Sequence, residues 1–423
     1  MLFLRATSSH PSLLVPNLRA LRWHRRRCIL PRDQSDLSVL LIQGLLSPSL
    51  VSLDVTLCDT DDVRSRSFLA NHPFLCPNLT SIVINVGGYG EVSCTTIEVF
   101  SRAITQHEHL DCLDISIPID AAALTHIAMS SKLKKLTLVL RPDKPRLHQV
   151  CIPSDTTPFR NVEELSLEVS DVYFVTPLLR SQDQVFHSFV LSHRFQPTTT
   201  AVFALLTALA SRQRTRSLRS ISLVPSLLGM GWHHFTPAEY ELAMGYHLTH
   251  DTFRPLASLC HLCELVVDLG WWFSIDDDDL LSLARNWPLL QVLYLSCEQR
   301  IDGHIWQSAK YVTFKGLLSL LECCPDLHEL CLPLDAREVP VNTGGIICNP
   351  ALTHIRFVNS PISDPVSVAD ILVRHFPSVT KVLSMFILPR DLEEVLGTYY
   401  ASWIEVNTLL QDIHFPDHDD PDL

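Results

Sequence analysis

One short phrase recurs along the chain: a proline or helix-ending residue, then leucine-x-x-leucine-x-leucine. It reads Pro16-Asn17-Leu18-Arg19-Ala20-Leu21, then Pro48-Ser49-Leu50-Val51-Ser52-Leu53, then Cys76-Pro77-Asn78-Leu79-Thr80-Ser81-Ile82. Near the other end it returns as Pro325-Asp326-Leu327-His328-Glu329-Leu330 and Pro350-Ala351-Leu352-Thr353-His354-Ile355. Proline stops a helix because it lacks the amide proton and crowds the preceding turn. Apolar residues at alternate positions after it define a short strand with one face turned inward. A unit of this kind cannot bury its apolar face alone, so its repetition requires a stack of coils, each packed on its neighbours.

The first apolar residue of each phrase falls at Leu18, Leu50, Leu79, Leu110, Leu133, Val162, Phe186, Leu218, Leu262, Leu290, Leu327, Leu352 and Val379. The mean spacing is about 30 residues, near the long end of leucine-rich repeats. Between the strands lie segments with helical spacing: Leu37, Leu40, Leu41, Leu45; Ile97, Phe100, Ile104; Leu280, Leu281, Ala284, Trp287; Leu317, Leu320, Leu321, Cys324; and Val368, Ile371, Leu372, Phe376. The expected fold is therefore α/β: a leucine-rich-repeat solenoid, a horseshoe with a parallel concave sheet and outer helices, in about 12–13 coils. The expected boundaries are a solenoid over 1–388 with an insertion at 225–250, a C-terminal capping helix at 389–412, and an acidic disordered tail at 413–423. The cap is read from Leu392, Val395, Leu396, Tyr399, Trp403 and Leu410 on one helical face. The first coil starts at Leu18 with no helical cap before it, so that end is expected to fray or self-associate.

Composition narrows function. The formal charge is −13, although residues 1–32 carry seven arginines and no acid. An acidic body argues against a nucleic-acid partner, and Arg22-Trp23-His24-Arg25-Arg26-Arg27 reads as a solvated loop. No apolar run approaches the length of a membrane span, so no membrane is expected. The 13 cysteines form no spaced disulfide framework, and no signal peptide precedes them, which fits reduced thiols in a cytoplasmic or nuclear protein.

Catalytic motifs are not found. The chain contains neither Gly-x-x-x-x-Gly-Lys-Ser/Thr nor Gly-x-Ser-x-Gly, and Gly88-x-Gly90 and Gly229-x-Gly231 are lone pairs. His233, His234, His247, His250, Cys260, His261 and Cys263 form the densest group of metal-type ligands. Yet Cys260 is read as filling the helix-end packing slot of Cys76 and Cys324, so neither metal nor cofactor is expected. Asp276-Asp277-Asp278-Asp279 reads as a helix start, where acids complement the macrodipole, rather than as a cation site. The expected binding residues lie elsewhere. In leucine-x-x-leucine-x-leucine the residues between the apolar ones face away from the core; these include Asp54, Asp114, Glu164, Glu168, Glu264, Asp268 and Glu329, against Lys135 and Arg356. Such a wall favours a protein partner with basic groups. Trp232, Trp271 and Trp272 in loops are the other candidate anchors, since tryptophan is over-represented at interfaces.

The phrases Val15-Pro16-Asn17-Leu18-Arg19-Ala20-Leu21-Arg22-Trp23 and Leu45-Leu46-Ser47-Pro48-Ser49-Leu50-Val51-Ser52-Leu53-Asp54, with the Cys-Pro-x-Leu entries at Cys76 and Cys324, resemble the repeat region of fungal F-box/leucine-rich-repeat proteins. The resemblance covers about residues 10–385. It implies a non-enzymatic substrate-recognition module of ubiquitin ligases, in which an N-terminal helical F-box docks the ligase adaptor. No F-box helix set precedes Leu18, so this chain alone is expected not to bind that adaptor. A free-standing repeat scaffold or inhibitor-like protein is the alternative, and a metal-dependent enzyme using 225–263 a third.

Overall fold

The computed structural model describes residues 15–24, 35–86, 92–140, 159–180, 186–194, 197–211, 217–226, 248–269, 273–296, 310–340, 348–358, 360–385 and 393–414. They form two compact units, Met1–Arg194 and Phe195–Leu423.

The first unit contains seven parallel strands in chain order: β1 (Ala20–Trp23), β2 (Ser52–Leu57), β3 (Ser81–Val86), β4 (Cys112–Ile115), β5 (Lys135–Leu140), β6 (Glu164–Val169) and β7 (Ser188–His193). Among the described residues the second contains six in one sheet, β8 (Ser220–Pro225), β9 (Glu264–Asp268), β10 (Val292–Ser296), β11 (Glu329–Leu332), β12 (His354–Val358) and β13 (Val382–Met385), and two short parallel pairs, Leu248–Thr249 with Phe273–Ser274 and Val312–Thr313 with Leu334–Asp335. Each repeat strand begins two residues after its phrase's first apolar residue, except β13, which begins three after Val379. Helices intervene: α1 (Ser35–Leu45), α2 (Val63–Leu75), α3 (Cys94–Ile104), α4 (Ala121–Ala128) and α5 (Val175–Arg180) in the first unit; α6 (Thr199–Ala210), α7 (Asp277–Ala284), α8 (Phe314–Cys323), α9 (Pro365–His375) and α10 (Glu393–His414) in the second. This is a leucine-rich-repeat-like α/β solenoid.

Register follows from the alternation. Leu21, Leu53, Ile82, Leu113, Leu136, Leu165 and Phe189 stand opposite one another across the first unit. Ile221, Leu265, Leu293, Leu330, Ile355 and Val382 do so in the second. These rows are buried, and the helices cover them with Phe68, Phe100, Ile104, Leu317, Leu320 and Leu372. A slip of one residue would turn every such row to solvent, so the apolar pattern locks the register.

The recurring phrase has a hydrogen-bonding purpose. The residue after the proline position donates its side chain to a carbonyl one coil earlier: Ser49 Oγ to Pro16 O (2.7 Å), Asn78 Nδ2 to Pro48 O (2.8 Å), Ser378 Oγ to Pro350 O (2.7 Å), and Asn161 to Ser131 O. Just before each strand, one carbonyl accepts two consecutive amides of the next coil, as Arg19 O does from Val51 and Ser52 and Cys263 O from Gln291 and Val292. The loops thus satisfy backbone groups that would otherwise be stranded between coils.

Helix starts are tied to the previous coil as well. Asp61 accepts from Ser93 Oγ (2.6 Å) and Thr96 Oγ1 (2.6 Å) at the start of α3. Although burial works against it, these bonds hold the Asp61 carboxyl below its usual range. Asp277 does the same for α8, accepting from Thr313 N (2.7 Å) and Thr313 Oγ1 (2.7 Å). At the last strand, Asn407 on α10 accepts from Val382 N (2.8 Å) and donates to Val382 O (2.9 Å), and Trp403 Nε1 donates to Ser360 O (2.8 Å). No helix among the described residues is long and apolar enough to cross a membrane.

Candidate partner-binding surface

The sheet face turned away from the helices carries three columns of side chains per unit. In the first unit one column holds Lys135 beside Glu164, the next Arg22, Asp54, Val83 and Asp114, and the third Glu168 beside Val139. In the second, Glu264, Val292, Glu329 and His354 lie in line, with Lys381 next by the same register; Val266, Tyr294, Cys331, Arg356 and Leu383 form the middle column; Asp268 stands beside Ser296. Neighbours in a column are one strand spacing apart, about 4.8 Å.

All seven acidic candidates lie on this face, but their charges are not equally available. Asp54 Oδ2 pairs with Arg22 Nε (3.0 Å) and His24 Nε2 (3.1 Å). Glu164 pairs with Lys135 (2.9 Å), and Glu168 Oε1 accepts from both Nε (3.0 Å) and Nη2 (2.9 Å) of Arg194. Burial pushes the Asp114 carboxyl above its ordinary range, against the pull of Lys135 and with a further push from Asp54. The bond to Glu164 in turn raises the Lys135 ammonium. On the first unit's face Asp54, Glu164 and Glu168 are thus each paired with a cation. Arg22 and Lys135 stand in register with the acids they pair, whereas Arg194, just past the end of β7, carries no periodic signal that marks it as the partner of Glu168.

The second unit differs. Glu264 and Glu329 are exposed and make no ion pair among the described residues. Arg356 reaches across the Cys331 position to Tyr294, donating from Nη1 to the phenol oxygen (2.6 Å), with its guanidinium carbon 5.4 Å from the ring centroid. Cys331 on the same column is fully buried.

Trp232, Trp271 and Trp272 lie outside the described residues, as do His233, His234 and His247. Cys260 is exposed, not a packing residue. The slot it was expected to fill is taken by the buried Leu259, three residues before Leu262, as Cys76 stands before Leu79 and Cys324 before Leu327. The Asp276–Asp279 run is a helix start: Asp276 accepts from Asp279 N (2.9 Å) in a capping box, and Lys310 lies 2.7 Å from Asp276. That lysine, with the Asp279 amide, holds the Asp276 carboxyl below its usual range. Among the described residues no group of three or more histidine, cysteine or acidic side chains is placed to hold a metal.

No protein-family profile matches the chain. No curated protein matches it either. Among solved structures it is similar to a chain in the crystal structure of the Rad7 and Elc1 complex in yeast, with a TM-score of 0.47 and 14% identity, covering 92% of this chain and 84% of that one.

Proposed function

We propose that the chain is a protein-interaction solenoid without chemistry of its own, which binds a partner protein on the sheet face opposite its helices. One observation carries this reading: the second unit presents Glu264 and Glu329 in register on that face, exposed, without an ion pair among the described residues and without a role in packing. A side chain used by neither core nor ion pair is available to a partner, and charged groups at such a face steer and select the partner rather than stabilise the fold. The partner segment facing these two residues is basic. Asp268 and Asp114 belong to the same kind of face, whereas Asp54, Glu164 and Glu168 contribute as members of ion pairs.

The boundary reading accompanies this proposal: repeats over 1–388, a closing helix over 389–412, and an acidic tail over 413–423. Recognition of a ubiquitin-ligase substrate, in a cytoplasmic or nuclear setting, rests on the resemblance to F-box repeat proteins.

The test is a double variant, Glu264→Lys/Glu329→Lys, compared with the wild type in partner capture at increasing salt. Neither residue points into the core, so the thermal midpoint is expected to hold, while capture weakens and loses much of its salt dependence. The same partners at the same salt dependence would remove this face as the site. The ligase link is tested separately by pull-down with the adaptor of a cullin–RING ligase. Stoichiometric binding supports a receptor role; failure to bind favours a free-standing scaffold.

A further inference from the structure

Arg194 in the first unit shows what one edge of a guanidinium is used for in this protein. Its Nε and Nη2 both donate to Glu168 Oε1, at 3.0 and 2.9 Å. Arg356 in the second unit is held the other way round. Its Nη1 is taken by the Tyr294 hydroxyl at 2.6 Å and its plane lies near the Tyr294 ring, so the Nε–Nη2 edge stays clear of that contact. Among the described residues Arg356 makes no ion pair with any carboxylate, although Glu329 stands on the adjacent strand. His354 lies two residues before it on the same face, and Lys381 falls beside His354 by register. Arg356 and Lys381 thus bring positive charge to the last two strands of this face, next to the column that carries Glu264 and Glu329.

We propose that Arg356, braced by Tyr294, is an anion receptor that takes a side-chain carboxylate of an acidic peptide segment of the partner protein. The proposal rests on the sheet-face reading above and adds the chemistry of its positive charges. A guanidinium tied at one nitrogen has already lost much of its rotamer freedom, so a carboxylate meeting the remaining edge gains two parallel charge-assisted bonds at reduced entropic cost. Lys381 adds positive potential without that geometry. A partner fitting the whole face carries basic groups opposite Glu264 and Glu329 and an acidic group opposite Arg356.

The test uses the full chain and a fluorescein-labelled hexaglutamate peptide, followed by fluorescence anisotropy, with oligothymidylate as the competing arm. Arg356→Gln and Arg356→Lys are each expected to weaken hexaglutamate binding about tenfold. Lysine keeps the charge but lacks the fork, so a purely electrostatic surface would bind alike in wild type and Arg356→Lys, and that result overturns the proposal. Tyr294→Phe removes one hydroxyl from an outward-facing ring and is expected to weaken binding about threefold with an unchanged melting midpoint. It carries the test should the arginine variants fail to fold. Tighter binding of oligothymidylate than of hexaglutamate overturns the proposal in favour of a nucleic-acid ligand. Wild-type binding no tighter than that of Arg356→Gln removes this site while leaving Glu264 and Glu329 to their own test.

Discussion

On α8, Gly316 lies against Asp277, and a Cβ built there would stand 3.0 Å from the Asp277 Cα and closer still to its carboxylate. That carboxylate caps α8 through Thr313, so it has no free direction in which to move. Gly316→Ala is expected to destabilise the fold by about 1–3 kcal/mol despite alanine's higher helix propensity. Gly397 on α10 has nothing within 4 Å of its would-be Cβ, and Gly397→Ala is expected to stabilise by about 0.5–1 kcal/mol. Chemical denaturation of the two variants checks both signs. A second residue-scale expectation concerns His72 and His107, stacked 5.2 Å apart in the core of the first unit beside Phe68 and Phe100, each with an Nε2 that has no partner among the described residues. His72 Nδ1 lies 2.9 Å from Leu69 O, which assigns its proton to that nitrogen. Burial, and the neighbouring His107, push the His72 pKa down to about 3; burial, and His126, push His107 to about 4. Both stay neutral in the folded state while the unfolded chain protonates near pH 6.5. Stability is therefore full above about pH 6.5, falls as pH drops below it, and stops falling through these groups only below the folded values of about 3 and 4. At pH 5 the loss is on the order of 4 kcal/mol for the pair. Urea titrations at pH 7 and pH 5 measure it, and His72→Leu should roughly halve the difference.

The elements owe their stability to what lies one coil away as much as to their own sequence. Helix α2 illustrates this: it buries Ser65, His72 and Pro73 along with Phe68 and Leu69, so its apolar stripe is broken. Its N-cap Asp62 accepts from Arg64 N (2.7 Å) and Ser65 N (2.9 Å), and neighbouring helices supply the rest of its surroundings. Helix α10 acts on a strand edge. The last strand of a sheet exposes backbone groups that template pairing with another chain, and the Asn407 amide occupies one donor and one acceptor of β13 in a single side chain. Asn407→Leu should leave both Val382 groups unsatisfied, at about 1–3 kcal/mol. It is also expected to raise the fraction of dimer seen by analytical ultracentrifugation, with the rest of the sheet unchanged.

Over the whole molecule, each coil packs chiefly on its sequence neighbours, so damage should stay local. Leu113→Ala in β4 removes a fully buried side chain and is expected to cost about 2–5 kcal/mol. Amide hydrogen exchange should accelerate in β3, β4 and β5 well before it does in β10, β11 and β12. Uniform acceleration over all the strands would show instead that both units open together. The distribution of charge also belongs to this scale. Most acids on the first unit's sheet face are paired, while among the described residues the second unit's Glu264, Glu329 and Arg356 make no ion pair.

Strand positions were legible in the sequence because burial of alternate residues and a proline stop are local, periodic requirements. That held even at Leu133, Val162, Leu218 and Leu262, which lack the proline, and at Phe186 and Val379, which match the phrase most weakly: each is buried just ahead of a strand. Helix faces were less legible. Helix α1 buries Val39 and Ile42 while Leu41 is exposed, a rotation that the leucine spacing alone does not reveal. The slot at Leu259 was misread by a residue because cysteine is common there in other coils. What the sequence determined by itself is the repeat, the strand register and the set of side chains facing away from the core, since these depend on periods of two and about 30 along one chain. What only the tertiary structure decided is which of those side chains remain available. Glu168 is lost to Arg194, which lies beyond the end of its strand, and Arg356 is turned onto Tyr294 from 62 residues away. Charge pairing depends on distances of a few ångströms between coils, and no period along the chain encodes them.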